Sequence, residues 1–161
     1  MAPLLNYLKS SVLSKVVMAA TGVVLVLFLV GHMIGNTQMY LGQDKMNHYA
    51  ETLQGLGVLL WIIRGVLLTC LALHVVTSIR LKFLNMDARP VPYQKKEWVK
   101  ASIFSRTMLS SGVTIALFVT YHLMHFTIKN TNPMYATLRD ALGRADVYSM
   151  VIFGYQNALI S

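Results

Sequence analysis

Three histidines stand inside long apolar runs: His32 in VLVLFLVGHMIGN, His74 in CLALHVVTSIR and His122 in LFVTYHLMHF, where His125 follows one helical turn later. A neutral imidazole offers one nitrogen that can bind a metal and a second that can be held by a hydrogen bond. Ionisable side chains are costly in an apolar run, so such histidines face a protein interior, a cofactor or a partner. A lone intramembrane histidine is explained as readily by a hydrogen bond to a neighbouring helix. The elements that carry these three, and the depth at which each falls, decide between the readings.

Those elements are membrane spans. Of 161 residues, 55% are hydrophobic and only 12% charged, which points to a bilayer protein rather than a soluble domain. Residues 16–35 carry no charge and are long enough to cross hydrocarbon roughly 30 Å thick. Further runs at 56–79 and 105–128 are each long enough to span with some tilt. A fourth apolar run begins near Val147 and stops at Ser161, about 15 residues, short of an untilted crossing. The expected fold is therefore all-α, a transmembrane helical bundle with three complete spans and a fourth truncated one, in a single domain over residues 1–161 that reads as C-terminally incomplete. The basic start before the first span has the look of a signal peptide, but its apolar run is longer than usual and other spans follow. Cys70 is the only cysteine and lies in an apolar run, so no intrachain disulfide forms.

The net charge of +8 gathers at the ends of apolar runs and not in a separate basic domain, which argues against a nucleic-acid partner and for topology signals. Between the second and third spans lie Arg80, Lys82, Arg89, Lys95, Lys96, Lys100 and Arg106 against Asp87 and Glu97, so this loop is expected on the cytoplasmic side. Lys9 and Lys15 put the N-terminus there too. The 36–55 connection, with Lys45 against Asp44 and Glu51, belongs outside. So does the weakly basic loop with Lys129, Arg139 and Arg144 against Asp140 and Asp146. Pro90 and Pro92 break any helix in the inner loop, and residues 94–104, with Trp98 and Phe104 among lysines, form either an interfacial helix or a solvated connector.

With that topology, His32 lies about 24 Å and His122 about 26 Å along outward helices, whereas His74 lies about 27 Å along an inward one. The first two share the outer half; His74 sits near the cytoplasmic face. Two imidazoles from facing helices make a six-coordinate haem b that passes electrons without an open site. Two histidines at one depth and one at the other match two haems across a bilayer, so ligation leads for the set. Gly22, Gly31, Gly35, Ser111 and Gly112 allow close approach of a macrocycle or simply of another helix. Arg64, roughly 12 Å from the outer end of its span, either meets a haem propionate or snorkels outward.

The strings LFLVGHMIGN, LALHVVTSIR and SGVTIALFVTYHLMHF resemble the cytochrome b558 membrane subunit of succinate dehydrogenases and fumarate reductases, over nearly the whole chain in span order and histidine placement. The resemblance implies a five-helix subunit with two b haems in a bacterial cytoplasmic membrane. Such a subunit anchors a flavoprotein and an iron–sulfur protein and exchanges electrons with a quinone, often menaquinone. It implies His32 and His122 on the distal haem and His74 on the proximal one; the second proximal histidine of the family has no counterpart before Ser161. Succinate chemistry then belongs to the flavoprotein, and no residue here acts on succinate. A quinone near the distal haem needs a proton-exchanging group, for which Glu51 and His48 are candidates, or else both are solvated loop residues. The competing functions are a di-haem b subunit of another respiratory complex and a haem-free membrane transporter or assembly protein.

Overall fold

A computed structural model of the chain describes residues 10–88, 91, 94–95 and 100–156. Among them the structure is helical and contains no strand; one antiparallel bridge, Arg139 to Ala145, pins a loop. The helices are α1 (Ser11–Asn36), α2 (Gln43–Gly55), α3 (Val58–Asp87), α4 (Ile103–His122) and α5 (Val147–Tyr155). The segments Ser11–Leu41, Val58–Asp87 and Ile103–Thr127 are long and apolar enough to cross a membrane. The expected all-α fold with three spans is what the structure shows.

Serine caps start α1 and α4. The hydroxyl of Ser10 accepts from the Leu13 amide at 3.1 Å and that of Ser102 from the Ser105 amide at 3.2 Å. Both supply an acceptor to an amide that has no partner within its helix. Gly57 separates α2 from α3 with φ of 52°, a left-handed conformation that favours glycine. At about 1.5 Å per residue, α3 is roughly 45 Å long and so reaches beyond a hydrocarbon core at one or both ends.

Two compact units emerge, Met1–Thr37 with Leu53–Tyr93, and Gln38–Thr52 with Gln94–Ser161. In the first, α1 and α3 pack antiparallel, since Ser14 meets Arg80 and Thr21 meets His74. The burial pattern is the reverse of a soluble helix pair. The buried residues of α1 are Ser14, Thr21 and Gly35, while Val26, Leu27 and Leu29 are exposed. Small and polar residues at the seam with large apolar ones outward suit helices whose solvent is lipid, where close backbone approach and hydrogen bonds drive association.

In the second unit, α4 runs into a π-helical turn, Leu123–Thr127, in which the Ile128 amide donates to the Leu123 carbonyl at 2.8 Å. A short 3-10 turn, Pro133–Ala136, follows, and α5 then packs on the π turn through Gly154. The 36–55 connection, expected as a loop, contains α2. Its residues are too polar to register as an apolar run, and its helix is held by side-chain hydrogen bonds from one face. The candidate fourth span is seen as the nine-residue α5; residues 157–161 lie outside the described residues. So do Lys9, Arg89, Pro90, Pro92, Lys96, Glu97 and Trp98, and with them positions 96–99 of the candidate interfacial helix; residues 94–95 and 100–102 are not helical, and Ile103 and Phe104 open α4.

Candidate functional site: imidazoles on membrane-length helices

His74 projects from α3 against α1, half-buried. Its Nδ1 lies 3.1 Å from the Met18 carbonyl oxygen and 3.3 Å from the Thr21 hydroxyl oxygen. That hydroxyl donates to the Val17 carbonyl at 2.7 Å. A carbonyl only accepts, so the proton of a neutral imidazole must sit on Nδ1. The lone pair is then on Nε2, for which no partner is found among the described residues. Gly22 makes this approach possible: a Cβ there would stand 3.2 Å from His74 Cε1. Of the other small residues singled out in the sequence, Gly35 is buried on α1. Gly31 and Gly112 have open space where a Cβ would be. Ser111 turns its hydroxyl back to the Met108 carbonyl at 3.0 Å.

His32 lies near the end of α1, exposed, beside the Phe28 ring at 5.4 Å between centroids. Asn36 donates to its backbone carbonyl at 2.7 Å. His122 is the last residue of α4 and lies between two rings, stacked on Phe118 at 5.6 Å and edge-on to Phe126 at 5.4 Å. His32 belongs to the first unit and His122 to the second. Arg64, half-buried on α3, sits over the Trp61 ring, 4.9 Å from its centroid, a cation–π contact. His48 and Glu51 are neighbours on α2, 3.8 Å apart and both exposed.

Two features escaped sequence reasoning. His125 is buried in the π turn; its Nδ1 is 2.7 Å from the Thr131 hydroxyl and 3.4 Å from that of Tyr121, while Nε2 has no hydrogen-bond partner. That nitrogen faces Gly154, where a Cβ would stand 3.0 Å away. The second is a polar knot. Asn47, fully buried, donates to Asp146 at 3.0 Å and Asp140 at 3.3 Å and accepts from the Tyr148 amide at 3.0 Å. Gln43 donates to the other Asp146 oxygen at 2.9 Å. Arg144 ties Asp140 to Asp44 with two 2.8 Å contacts.

The electrostatics follow the donors. Burial raises the Asp146 pKa, but hydrogen bonds from Ser149, Asn47 and Gln43 outweigh it and hold the carboxyl at about 2. Asp140 also has burial pushing it up and is lowered on balance by Arg144 and Asn47. Asp44 is lowered by its hydrogen bond and charge contact with Arg144, whose own pKa is raised by the two carboxylates. The Asp146 carboxylate also caps α5, accepting from the Ser149 amide at 3.1 Å. An Asp just before the apolar run 147–155 was a legible cap signal; its long-range partners were not.

These features define an all-α membrane-spanning protein with histidines on each of its three long helices. Comparison with protein-family models, with curated proteins and with solved structures finds no match. The donor set suits a haem: an imidazole whose Nδ1–H is fixed by a carbonyl presents Nε2 as a preorganised axial ligand. Among the described residues no group of three or more His, Cys, Asp or Glu converges as an ion site. A haem, with four nitrogens of its own, needs no such cluster.

Proposed function

We propose that this chain is the haem b-carrying membrane anchor subunit of a succinate:quinone oxidoreductase, passing electrons between an iron–sulfur subunit and a membrane quinone such as menaquinone. The observation that carries the reading is His74, whose Nδ1 is tied to the Met18 carbonyl while its Nε2 is left with the lone pair an axial ligand needs. His32 and His122 are the ligand pair for one haem and His74 gives one ligand to a second. Arg64 is the cation for a haem carboxylate, held ready by Trp61. When bound, haem b supplies reversible one-electron transfer with no open coordination site.

The chain's own residues do the rest. Large apolar side chains are exposed along α1, α3 and α4, where lipid in place of water would keep the imidazoles among them dry. His48 and Glu51, paired at 3.8 Å and exposed, exchange protons with a quinone as its redox state changes. The basic 80–106 connection faces the cytoplasm, where the flavoprotein and iron–sulfur subunits dock. The charge distribution and the resemblance support a bacterial cytoplasmic membrane with the N-terminus inside.

The pairing is tested by His32→Ala and His122→Ala, each assayed for haem b by redox difference spectroscopy of membranes. Both variants are expected to lose the same haem and to retain any held by His74. Loss of different haems, or of none, contradicts the pairing.

A further inference from the structure

Thr21 stands on α1 where His74 packs against it, and is only 7% exposed. Its hydroxyl has one proton to give and two lone pairs. The proton goes to the Val17 carbonyl at 2.7 Å, with the Met18 carbonyl a second, longer acceptor at 3.1 Å. Toward His74 Nδ1, 3.3 Å away, the hydroxyl oxygen is therefore left to accept. The Met18 carbonyl, 3.1 Å from the same nitrogen, also only accepts. One Nδ1–H thus has two acceptors, a three-centre bond. Gly22 leaves room for it, since a Cβ there would stand 3.2 Å from His74 Cε1. The carbonyl is present whatever residue stands at position 18; the hydroxyl is supplied by Thr21 alone.

We infer that Thr21 is a positioning residue for the haem held by His74: its hydroxyl is the second acceptor for the Nδ1 proton and thereby lowers that haem's reduction potential. The inference rests on the haem reading proposed above and adds a residue to it. An acceptor on Nδ1–H draws the proton away from the ring and leaves more electron density on Nε2, the ligating nitrogen. A more basic ligand stabilises the oxidised iron, which carries one positive charge more than the reduced iron, so hydrogen bonding of this kind sets a haem potential. Removing the acceptor raises the potential. The competing role is structural, a buried hydroxyl satisfied by its own helix backbone, as threonines in apolar helices commonly are, with no effect on the iron.

The test is a potentiometric titration of haem b absorbance in membranes containing the whole complex, for wild type, Thr21→Val, Thr21→Ser and His74→Ala, with the chain quantified by immunoblot. Thr21→Val keeps the branched shape and removes the acceptor, whereas Thr21→Ser keeps the hydroxyl. The expected result is that Thr21→Val raises the potential of one wave, the wave that His74→Ala abolishes, while Thr21→Ser leaves it at the wild-type value. Loss of that haem in Thr21→Val, with the chain at wild-type amount and the haem kept in Thr21→Ser, is the same weakening of ligation carried further and supports the assignment. Where Thr21→Val does not accumulate, Thr21→Ala is titrated against the same outcomes. An unchanged or lowered potential in Thr21→Val makes the hydroxyl plain helix packing and overturns the inference. So does an equal shift, or loss of haem, in Thr21→Ser, which would trace the effect to shape. Wild-type membranes containing the folded chain but no b-type haem overturn the underlying reading instead.

Discussion

A backbone carbonyl decides what His74 can do. Because the Met18 oxygen accepts from Nδ1, a neutral imidazole here keeps its lone pair on Nε2 and its ring orientation fixed, as a metal-ligating histidine needs. The place of this histidine in a membrane-length apolar run was legible in the sequence; its hydrogen-bond partner was not, since that is a carbonyl 56 positions away. The same holds for Asp146, visible as a helix cap but not as the acceptor for Asn47 and Gln43. Its carboxyl is lowered from 3.8 to about 2. A depressed acid contributes stability that is present above the unfolded value and lost as pH falls through the folded one. Thermal unfolding of the detergent-solubilised protein should therefore drop in midpoint between pH 4 and 2. Asp146→Asn, which cannot ionise, should start less stable and lose less across that window, Asp44 and Asp140 contributing the remaining slope. An unchanged pH profile in Asp146→Asn would show that the carboxylate carries no such linkage.

At the scale of elements, apolar length located the three spans but neither α2 nor the π turn. The 16–35 run lies inside α1, which also includes Ser11 at its start; the boundary depends on the Ser10 cap rather than on hydropathy. The polar helix α2 is built by a knot whose members come from positions roughly a hundred residues apart, beyond any local pattern. The π turn is held from outside, by α5 packing at Gly154. A Cβ there would stand 2.8 Å from the Phe126 ring, too close without movement, and a tight 3.0 Å from His125 Nε2. Gly154→Ala should therefore cost about 1–3 kcal/mol, the usual penalty of overpacking, read as a lower unfolding midpoint and faster amide exchange over 123–127. Phe126→Leu in the same chain should recover part of the loss. Full stability in Gly154→Ala would contradict the packing described.

For the whole molecule, length and apolarity mark the helices able to cross a membrane, and the positive-inside rule predicts which way they face. In a Cys70→Ser background, a cysteine at Tyr40, exposed in the turn after α1, should react with an impermeant maleimide in intact cells. One at Lys100 should react only after lysis. The reverse pattern would invert the topology and move the shared level of His32 and His122 to the cytoplasmic half, with His74 at the outer one. Span number and histidine order were readable because membrane length is a local property of sequence. The apposition of α1 and α3 through Ser14, Thr21 and Gly22 was only hinted at by small residues, since which helix a small residue faces depends on the partner helix.

The proposed function requires that these histidines hold haem b. It is tested most directly by a dithionite-minus-oxidised spectrum of the purified membrane protein, with a pyridine haemochrome assay to count haem per chain. The account predicts a b-type difference spectrum with one or two haems per chain. Folded protein from haem-sufficient cells with no b-type absorbance would contradict it and bring a haem-free transporter or assembly role forward.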